Sequence, residues 1–382
     1  MKITKLMLSA FVAAMALVSC NKETHTPEDS SLKTVEISLK NIIMTKGPAG
    51  DPIKAGEDGK MPAVQVSNFQ VFLTDDTYTS TYDAWDADGS KKLSFYFDKA
   101  EDLKEKLQFH YVDHKCTKVV VVANMGEGMT LDKVMDIDKS IDEQQNQTNL
   151  ILYGESGLKF TNDQHTNETT GEITDIYEAK VALVPTISRF EVDGFRVDFN
   201  EPSTFSSVAV TDIAFQHYYP HLAVSYSNGL DIYGDGKYDD HLTMDDLQKN
   251  EAKVHQWFNE SNKGVWFRDN FSPALTMTPA SPTAKPKNAL AYHFYAGAVV
   301  PTMIIKLLAD NTPAYVYTNT YKTSANATLT EIMPGKIYRM SVNGANDGIV
   351  EIPENKITPI NRCIEVSIEV EDWVVELITP EF

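Results

Sequence analysis

Lys33–Gly50 reads KTVEISLKNIIMTKGPAG, and its hydrophobic period decides the fold. Val35, Ile37 and Leu39 alternate with Glu36, Ser38 and Lys40, the period of a half-buried β-strand, and Ile42 to Met44 continue it after a shift at Asn41. Gly47-Pro48 and Gly50 then impose a turn, which puts the Lys46–Gly47 bond in an exposed segment of the kind that proteases cut. A strand followed by a cuttable loop is a strand that can be taken out of a folded domain. The plainer alternative is an ordinary first strand and an ordinary loop lysine, and the rest of the chain has to decide between them.

Upstream, residues 1–20, MKITKLMLSAFVAAMALVSC, carry Lys2 and Lys5, an apolar run from Leu6 to Val18, and small residues before Cys20. That is the build of a secretory signal, too short and wrongly flanked for a spanning helix. Leu17-Val18-Ser19-Cys20 resembles the lipobox of bacterial lipoproteins, in which the cysteine is acylated and becomes the mature N-terminus. The resemblance implies an acyl anchor, palmitate among the chains, on Cys20. Acyl methylenes at about 0.8 kcal/mol each hold such a protein on a membrane without any transmembrane segment. Residues 21–32 form a linker, in which Asn21-Lys22-Glu23, Glu28 and Asp29 loosely resemble the acidic export tag of surface lipoproteins of Bacteroidetes-type bacteria.

Beyond the signal the chain is longer than one core usually supports, because single cores stop growing near ~250 to 300 residues. Two domains are expected, 33–185 and 186–382, meeting after Pro185. Acidic residues number 54 against 34 basic ones, and the net charge of -20 argues against nucleic acid and against electrostatic attachment to anionic lipid. Cys116 and Cys363 lie far apart in sequence, which favours buried free thiols over a bridge, and no disulfide framework carries the fold.

The first domain reads as short strands at Val64–Leu73, Leu93–Phe97, Lys118–Asn124, Asn149–Tyr153, Leu158–Phe160 and Ala179–Val184. Short helices are expected at Lys99–Phe109, where Leu103 and Leu107 stand four apart, and at Thr130–Ile137. Thr161–Gly171 is polar and reads as a connection. In the second domain strands are expected at Arg189–Phe199, Val208–His217, Ala291–Ala296, Val299–Ala309 and Ile337–Val342. Thr243 with Asp246 three residues on signals a helix start, with Leu247, Val254 and Trp257 or Phe258 on one face. Ser272–Lys287, with four prolines, reads as a loop. The architecture implied is all-β and mainly antiparallel: two tandem β-sandwich domains with a few short helices.

The C-terminus is the second informative stretch. Ile364, Val366, Ile368 and Val370 alternate with Glu365, Ser367, Glu369 and Glu371; at Asp372 the phase slips, and Trp373, Val375 and Leu377 take over on odd numbers. Apolar residues continue to Phe382. An apolar tail with no following partner strand either closes its own domain's edge or adds to another molecule's.

The lipobox, the strand and basic residue at the start, KVVVVANMGE (118–127), NLILYGESG (149–157), MPGKIYRMSV (333–342) and CIEVSIEVEDWVVELITPEF (363–382) together resemble fimbrillin, the shaft subunit of type V pili of Bacteroidales. The resemblance spans essentially the whole chain and rests on the order and spacing of these segments. It implies transthyretin-like sandwiches and an outer-membrane lipoprotein precursor. It further implies a trypsin-like protease that cuts beyond the first strand, and a groove then filled by the C-terminal strand of a neighbouring subunit. Carried onto this chain, the cleavage residues are Lys46 and Gly47, and the removed strand bears Val35, Ile37, Leu39 and Ile43. The donor strand is Trp373, Val374, Val375, Glu376, Leu377 and Ile378, ending at Phe382. The implied partners are other copies of the chain and related pilus subunits, in a surface fimbrium serving adhesion. Family members are cut after Arg, whereas the first Arg here is Arg189, so a protease that accepts Lys is required.

Other chemistry has little support in the sequence. There is no HExxH, paired CxxC, GxGxxG, Walker loop or GxSxG elbow, so no catalytic residue, cofactor or metal is expected. Asp86-Ala87-Asp88-Gly89 lacks calcium-loop ligands at its first and twelfth positions, Ala84 and Phe95. Asp231, Asp235, Asp239 and Asp240 read as a surface loop. His217 and His221 would ligate a metal only from a helix, which Pro220 opposes. The competing functions are a surface lipoprotein that binds glycans through Trp85, Tyr218 or Trp266, and a tip or anchor subunit of the same pilus.

Overall fold

In a computed structural model of the chain, the residues described are 32–40, 42–45, 64–85, 90–98, 106–135, 139–145, 150–225, 231–235, 241–259, 267–342, 344–345, 347–357, 363–372 and 375–378. The fold they show is all-β, with antiparallel sheets predominating and three short α-helices among the described residues.

The first half contributes β1 (Leu32–Lys40), β2 (Ile42–Thr45), β3 (Val64–Val66), β4 (Phe69–Thr74), β5 (Ala84–Trp85), β6 (Lys91–Lys92), β7 (Phe95–Phe97), β8 (Leu107–Asp113) and β9 (Lys118–Ala123). Helix α1 (Leu131–Met135) follows, then β10 (Leu152–Gly157), β11 (Lys159–Thr166), β12 (Ile173–Ala182) and β13 (Val184–Pro185). They form a six-stranded sheet in the order β11-β12-β1-β8-β5-β6 and a five-stranded sheet β13-β10-β9-β4-β7. β12 of one lies against β9 and β10 of the other. That approach is close at Gly154, where a Cβ would stand 2.3 Å from the Ala182 carbonyl oxygen. Val119 to Val122 are all buried, as a valine run suited to a strand covered on both faces should be.

The second half contributes β14 (Ile187–Val192), β15 (Gly194–Asp198), β16 (Val208–Gln216), β17 (His221–Ser225), β18 (Asp231–Asp235), α2 (Met244–Lys249), α3 (Glu251–Asn259), β19 (Arg268–Met277), β20 (Thr283–Ala284) and β21 (Leu290–Tyr295). The remaining strands are β22 (Thr302–Ala309), β23 (Thr312–Thr323), β24 (Lys336–Ser341), β25 (Ile349–Pro353), β26 (Cys363–Asp372) and β27 (Val375–Ile378). An eight-stranded sheet runs β19-β16-β22-β23-β26-β24-β14-β21, and the three-stranded sheet β20-β15-β25 brings β25 against β24 and β26. Thr243 and Asp246 make the capping box their spacing announces: Asp246 N–H donates to Thr243 Oγ1 at 3.1 Å and Thr243 N–H to Asp246 Oδ2 at 2.9 Å. Leu247, Val254, Trp257 and Phe258 then bury against Ala214, Ile304, Tyr315 and Tyr317 of the large sheet.

The two halves touch through residues 139–145. Ile141 N–H donates to Pro220 O at 2.8 Å, Tyr295 OH to Lys139 O at 3.0 Å, and the Gln145 amide to His293 O at 3.1 Å. His293 Nδ1 bonds Gln144 O at 2.8 Å, and burial, with Arg189 nearby, holds its pKa down to about 3.

Three sequence expectations fail. Leu107–Asp113 is a strand, not the end of a helix, because Phe109 and Val112 face the core from an extended backbone that ladders with β1. Arg268–Met277 is a strand despite Pro273. It lies at the edge of its sheet, where a missing N–H is tolerated, and the register shifts between Val210 and Asp212 of β16 opposite it. β11 extends through polar residues to Thr166, since its outer face is left to solvent.

Candidate functional site: the slot held by the first strand

β1 is an interior strand. Lys33 to Lys40 pair in parallel with Asp175 to Ala182 of β12, while Leu32 to Ile37 pair antiparallel with Asp113 to Leu107 of β8. A tight turn joins antiparallel strands only, so β1 is placed against β12 by tertiary fit and not by a hairpin. Val35 and Ile37 are buried to 1% exposure or less, Leu39 is half-buried, and all three pack into the main core. The slot's walls are Phe109 and Val112 on β8 and Ala179 and Val181 on β12, all buried, with the Phe95 ring tilted against that of Phe109 at 4.3 Å between centroids. Two fully buried aliphatic side chains contribute roughly 3 to 6 kcal/mol, and the ladder hydrogen bonds add about 1 kcal/mol each. Removing β1 would therefore leave an apolar trough with unpaired backbone on both sides.

The outer face of β1 is polar and specific. Thr34 Oγ1 lies 2.7 Å from Thr174 Oγ1 and 3.3 Å from His110 Nδ1. The His110 ring stacks on that of His165 at 4.3 Å, so one imidazole from β8 and one from β11 meet across the intervening strands. Burial, then the neighbouring His165, holds the His110 pKa down to about 4; burial also lowers that of His165. Glu36 accepts from Lys106 Nζ at 2.9 Å and Gln108 Nε2 at 2.7 Å. At the mouth of the slot Lys33 donates to the Cys116 and His114 carbonyls and sits 4.6 Å over the Tyr177 ring. Burial lowers its pKa against the opposing pull of Cys116 and Asp113.

The tail has its own place. β27 lies between β2 and β3 in a three-stranded parallel sheet, with Ile42 opposite Val375, Ile43 opposite Glu376, Met44 opposite Leu377, and Val64 to Val66 on the other flank. The segment that follows β1 thus pairs with the end of the chain.

Of the residues singled out in the sequence, Val35, Ile37 and Leu39 come together in the slot, and Ile43 and Val375 to Ile378 in the three-stranded sheet. Cys20, Lys46, Gly47, Trp373, Val374 and Phe382 lie outside the described residues, as do Asp86 to Gly89, Asp239, Asp240 and Trp266. Cys116 is buried and Cys363 half-buried, both as free thiols. Trp85 is 42% exposed, whereas Tyr218 is 4% exposed and packs edge-on against Phe267 at 4.4 Å, so it has no face for a glycan. His221 starts strand β17 and His217 sits in a turn with φ 61°, so no helix aligns the two. Asp231 and Asp235, expected in a surface loop, are instead the first and last residues of strand β18, opposite Ser225 and His221 of antiparallel β17. Among the described residues no cluster of three or more His, Cys, Asp or Glu could hold a metal. Sequence reasoning missed Lys106, Gln108 and His110; strand alternation of Phe109 with its polar neighbours was the available signal.

No family model matches the chain, and no curated protein matches it. Among solved structures, a protein named for cell adhesion from Parabacteroides distasonis ATCC 8503 is 9% identical over 90% of this chain and 98% of its own, with a TM-score of 0.53. A fimbrilin from Porphyromonas gingivalis W83 is 14% identical over 91% of this chain and 99% of its own, at 0.46. A fimbrial assembly protein from Parabacteroides distasonis ATCC 8503 is 12% identical over 89% of this chain and 94% of its own, at 0.35. The chain is thus similar in fold, along nearly its whole length, to the first of these.

Proposed function

We propose that the chain is a structural subunit of a cell-surface pilus, polymerised by exchange of its first strand for the tail of another copy. The single observation that carries this is the position of β1: an interior strand of the six-stranded sheet, parallel to one neighbour and antiparallel to the other, whose removal opens a trough lined by Phe109, Val112, Ala179 and Val181. The fold likeness to a protein named for cell adhesion supports the adhesive setting.

In this reading the precursor is exported as a lipoprotein acylated at Cys20 and anchored in the outer membrane, with its domains meeting after Pro185. A trypsin-like protease cuts between Lys46 and Gly47. That one cut releases β1 from the slot and β2 from beside β27, so it opens the acceptor and removes one of the two strands that keep the donor at home. Trp373 to Phe382 of a second copy then fill the trough. A donor burying about five apolar side chains gains on the order of 10 kcal/mol, part of which is consumed in ordering and docking it. Because the contact is head to tail and does not close on itself, it propagates into a fibre.

The test is limited trypsin digestion of the purified precursor. The expected product starts at Gly47 and forms heat-labile, detergent-resistant ladders. A chain that is cut there and stays monomeric contradicts the proposal.

A further inference from the structure

The two large sheets each hold a strand of the same kind. In the first half, β1 lies between a parallel neighbour, β12, and an antiparallel one, β8; in the second, β26 lies between parallel β23 and antiparallel β24. Each parallel neighbour is also the second arm of an antiparallel pair, β11–β12 and β22–β23. The sequences agree too: Val35-Glu36-Ile37-Ser38-Leu39 against Ile364-Glu365-Val366-Ser367-Ile368. Val35, Ile37, Ile364, Val366 and Ile368 are all buried, while Glu365 and Ser367 are exposed and Glu36 and Ser38 half-exposed. Apolar-Glu-apolar is therefore the pattern that such a position takes in this chain. β26 is committed to its own sheet, but the next strand repeats the pattern: Val375-Glu376-Leu377.

From this we infer the register of the intersubunit joint, an inference that rests on the strand-exchange reading above. Val375, Glu376 and Leu377 of a second copy take the places of Val35, Glu36 and Ile37, running parallel to β12. Glu376 then accepts the hydrogen bonds of Lys106 and Gln108, the two side chains that hold Glu36 at 2.9 and 2.7 Å. A one-residue slip would drive Glu376 into the apolar trough without a partner. A two-residue slip keeps the phase but moves Glu376 to the place of Ser38, opposite Lys180 and away from Gln108. Lys106 stays within reach of Glu376 after that slip, so Gln108, opposite the place of Glu36, is the pin that separates this register from the slipped one.

The experiment uses full-length chains assembled after trypsin cutting. Under oxidising conditions, Glu376→Cys with Gln108→Cys is expected to give a disulfide-linked ladder. Glu376→Cys with Lys106→Cys, the pair a two-residue slip would join, is expected to give about tenfold less, since cysteines whose Cα atoms are more than ~7 Å apart do not bridge. The opposite ranking, or equal yields, overturns the register. Separately, Glu376→Lys should slow assembly about tenfold, the loss expected for a charge-assisted hydrogen bond, and Lys106→Glu in the same chain should restore it. A Glu376→Lys chain that assembles like the wild type overturns the pin. These outcomes are distinct from failure of strand exchange itself, which would show as cut wild-type chain that does not assemble at all.

Discussion

Ile37→Ala is a substitution whose cost should disappear on maturation. Ile37 is 1% exposed at the centre of β1, opposite Leu107 on one side and Ala179 on the other, and it packs into the main core. Truncating a buried isoleucine to alanine costs about 2 to 5 kcal/mol, the spread reflecting how far the site collapses. With Ala179 as one neighbour there is little bulk to close the gap, so about 3 kcal/mol is expected. That is a large share of the 5 to 15 kcal/mol typical of a domain. Urea unfolding of the uncut precursor reads this directly as a lowered midpoint with unchanged slope. The trypsin-cut polymer no longer contains residue 37, so its resistance to urea should match the wild type. Val121→Ala is the control: Val121 is fully buried in β9, outside the removable strand, and its truncation should weaken precursor and polymer alike. An Ile37→Ala precursor as stable as wild type, or a polymer weakened as much as by Val121→Ala, refutes the reasoning.

Other outcomes follow from the same structure. Gly154→Ala should destabilise the first half by about 1 to 3 kcal/mol in urea, since its Cβ would meet the Ala182 carbonyl oxygen and Val181 Cγ1 at 2.3 and 2.8 Å and the two sheets would have to part. Met44→Cys with Leu377→Cys, opposite each other in register, should form an intramolecular disulfide in uncut monomer, seen as a faster-migrating non-reduced band; dimers with no such band would contradict the home position of the tail. Acid should loosen β1. The folded pKa of His110, about 4, lies below its unfolded value near 6.5, so its contribution is full above pH 6.5 and is lost as pH falls towards 4. Unscreened the difference would be about 3 kcal/mol, and solvent at this half-open ring reduces it to about 1 to 2 kcal/mol. Between pH 7 and 5 the urea midpoint should therefore fall more for wild type than for His110→Gln, and equal falls would remove His110 from the account.

How much of this was legible in the sequence depended on whether a signal was local. The alternation of Val35, Ile37 and Leu39 identified β1, and the slip at Asp372 separated β26 from β27, because both are statements about one strand's faces. The Thr243–Asp246 box likewise needed only a three-residue spacing. What stayed hidden was pairing. Nothing in β1 says that its neighbours are β12 and β8, whose paired residues lie 70 or more positions away in the sequence. The one nearby cue, Leu103 and Leu107 four apart, pointed to a helix where Phe109 and Val112 in fact build a wall of the slot. Prolines misled in the same way at Ser272–Lys287, since an edge strand tolerates what an interior strand does not. Tyr218 looked available for a ligand because its exposure depends on Phe267 and Phe294, both distant in sequence.

The central claim is that β1 is a temporary occupant of its sheet. It is tested most directly by determining the N-terminal residue and subunit mass of filaments recovered from the cell surface. The account predicts a subunit that begins at Gly47, with residues 33–46 absent from the particle and the slot's backbone amides still protected from hydrogen exchange by another molecule's tail. Filaments whose subunits retain Lys33–Lys40 paired between β12 and β8 would contradict it.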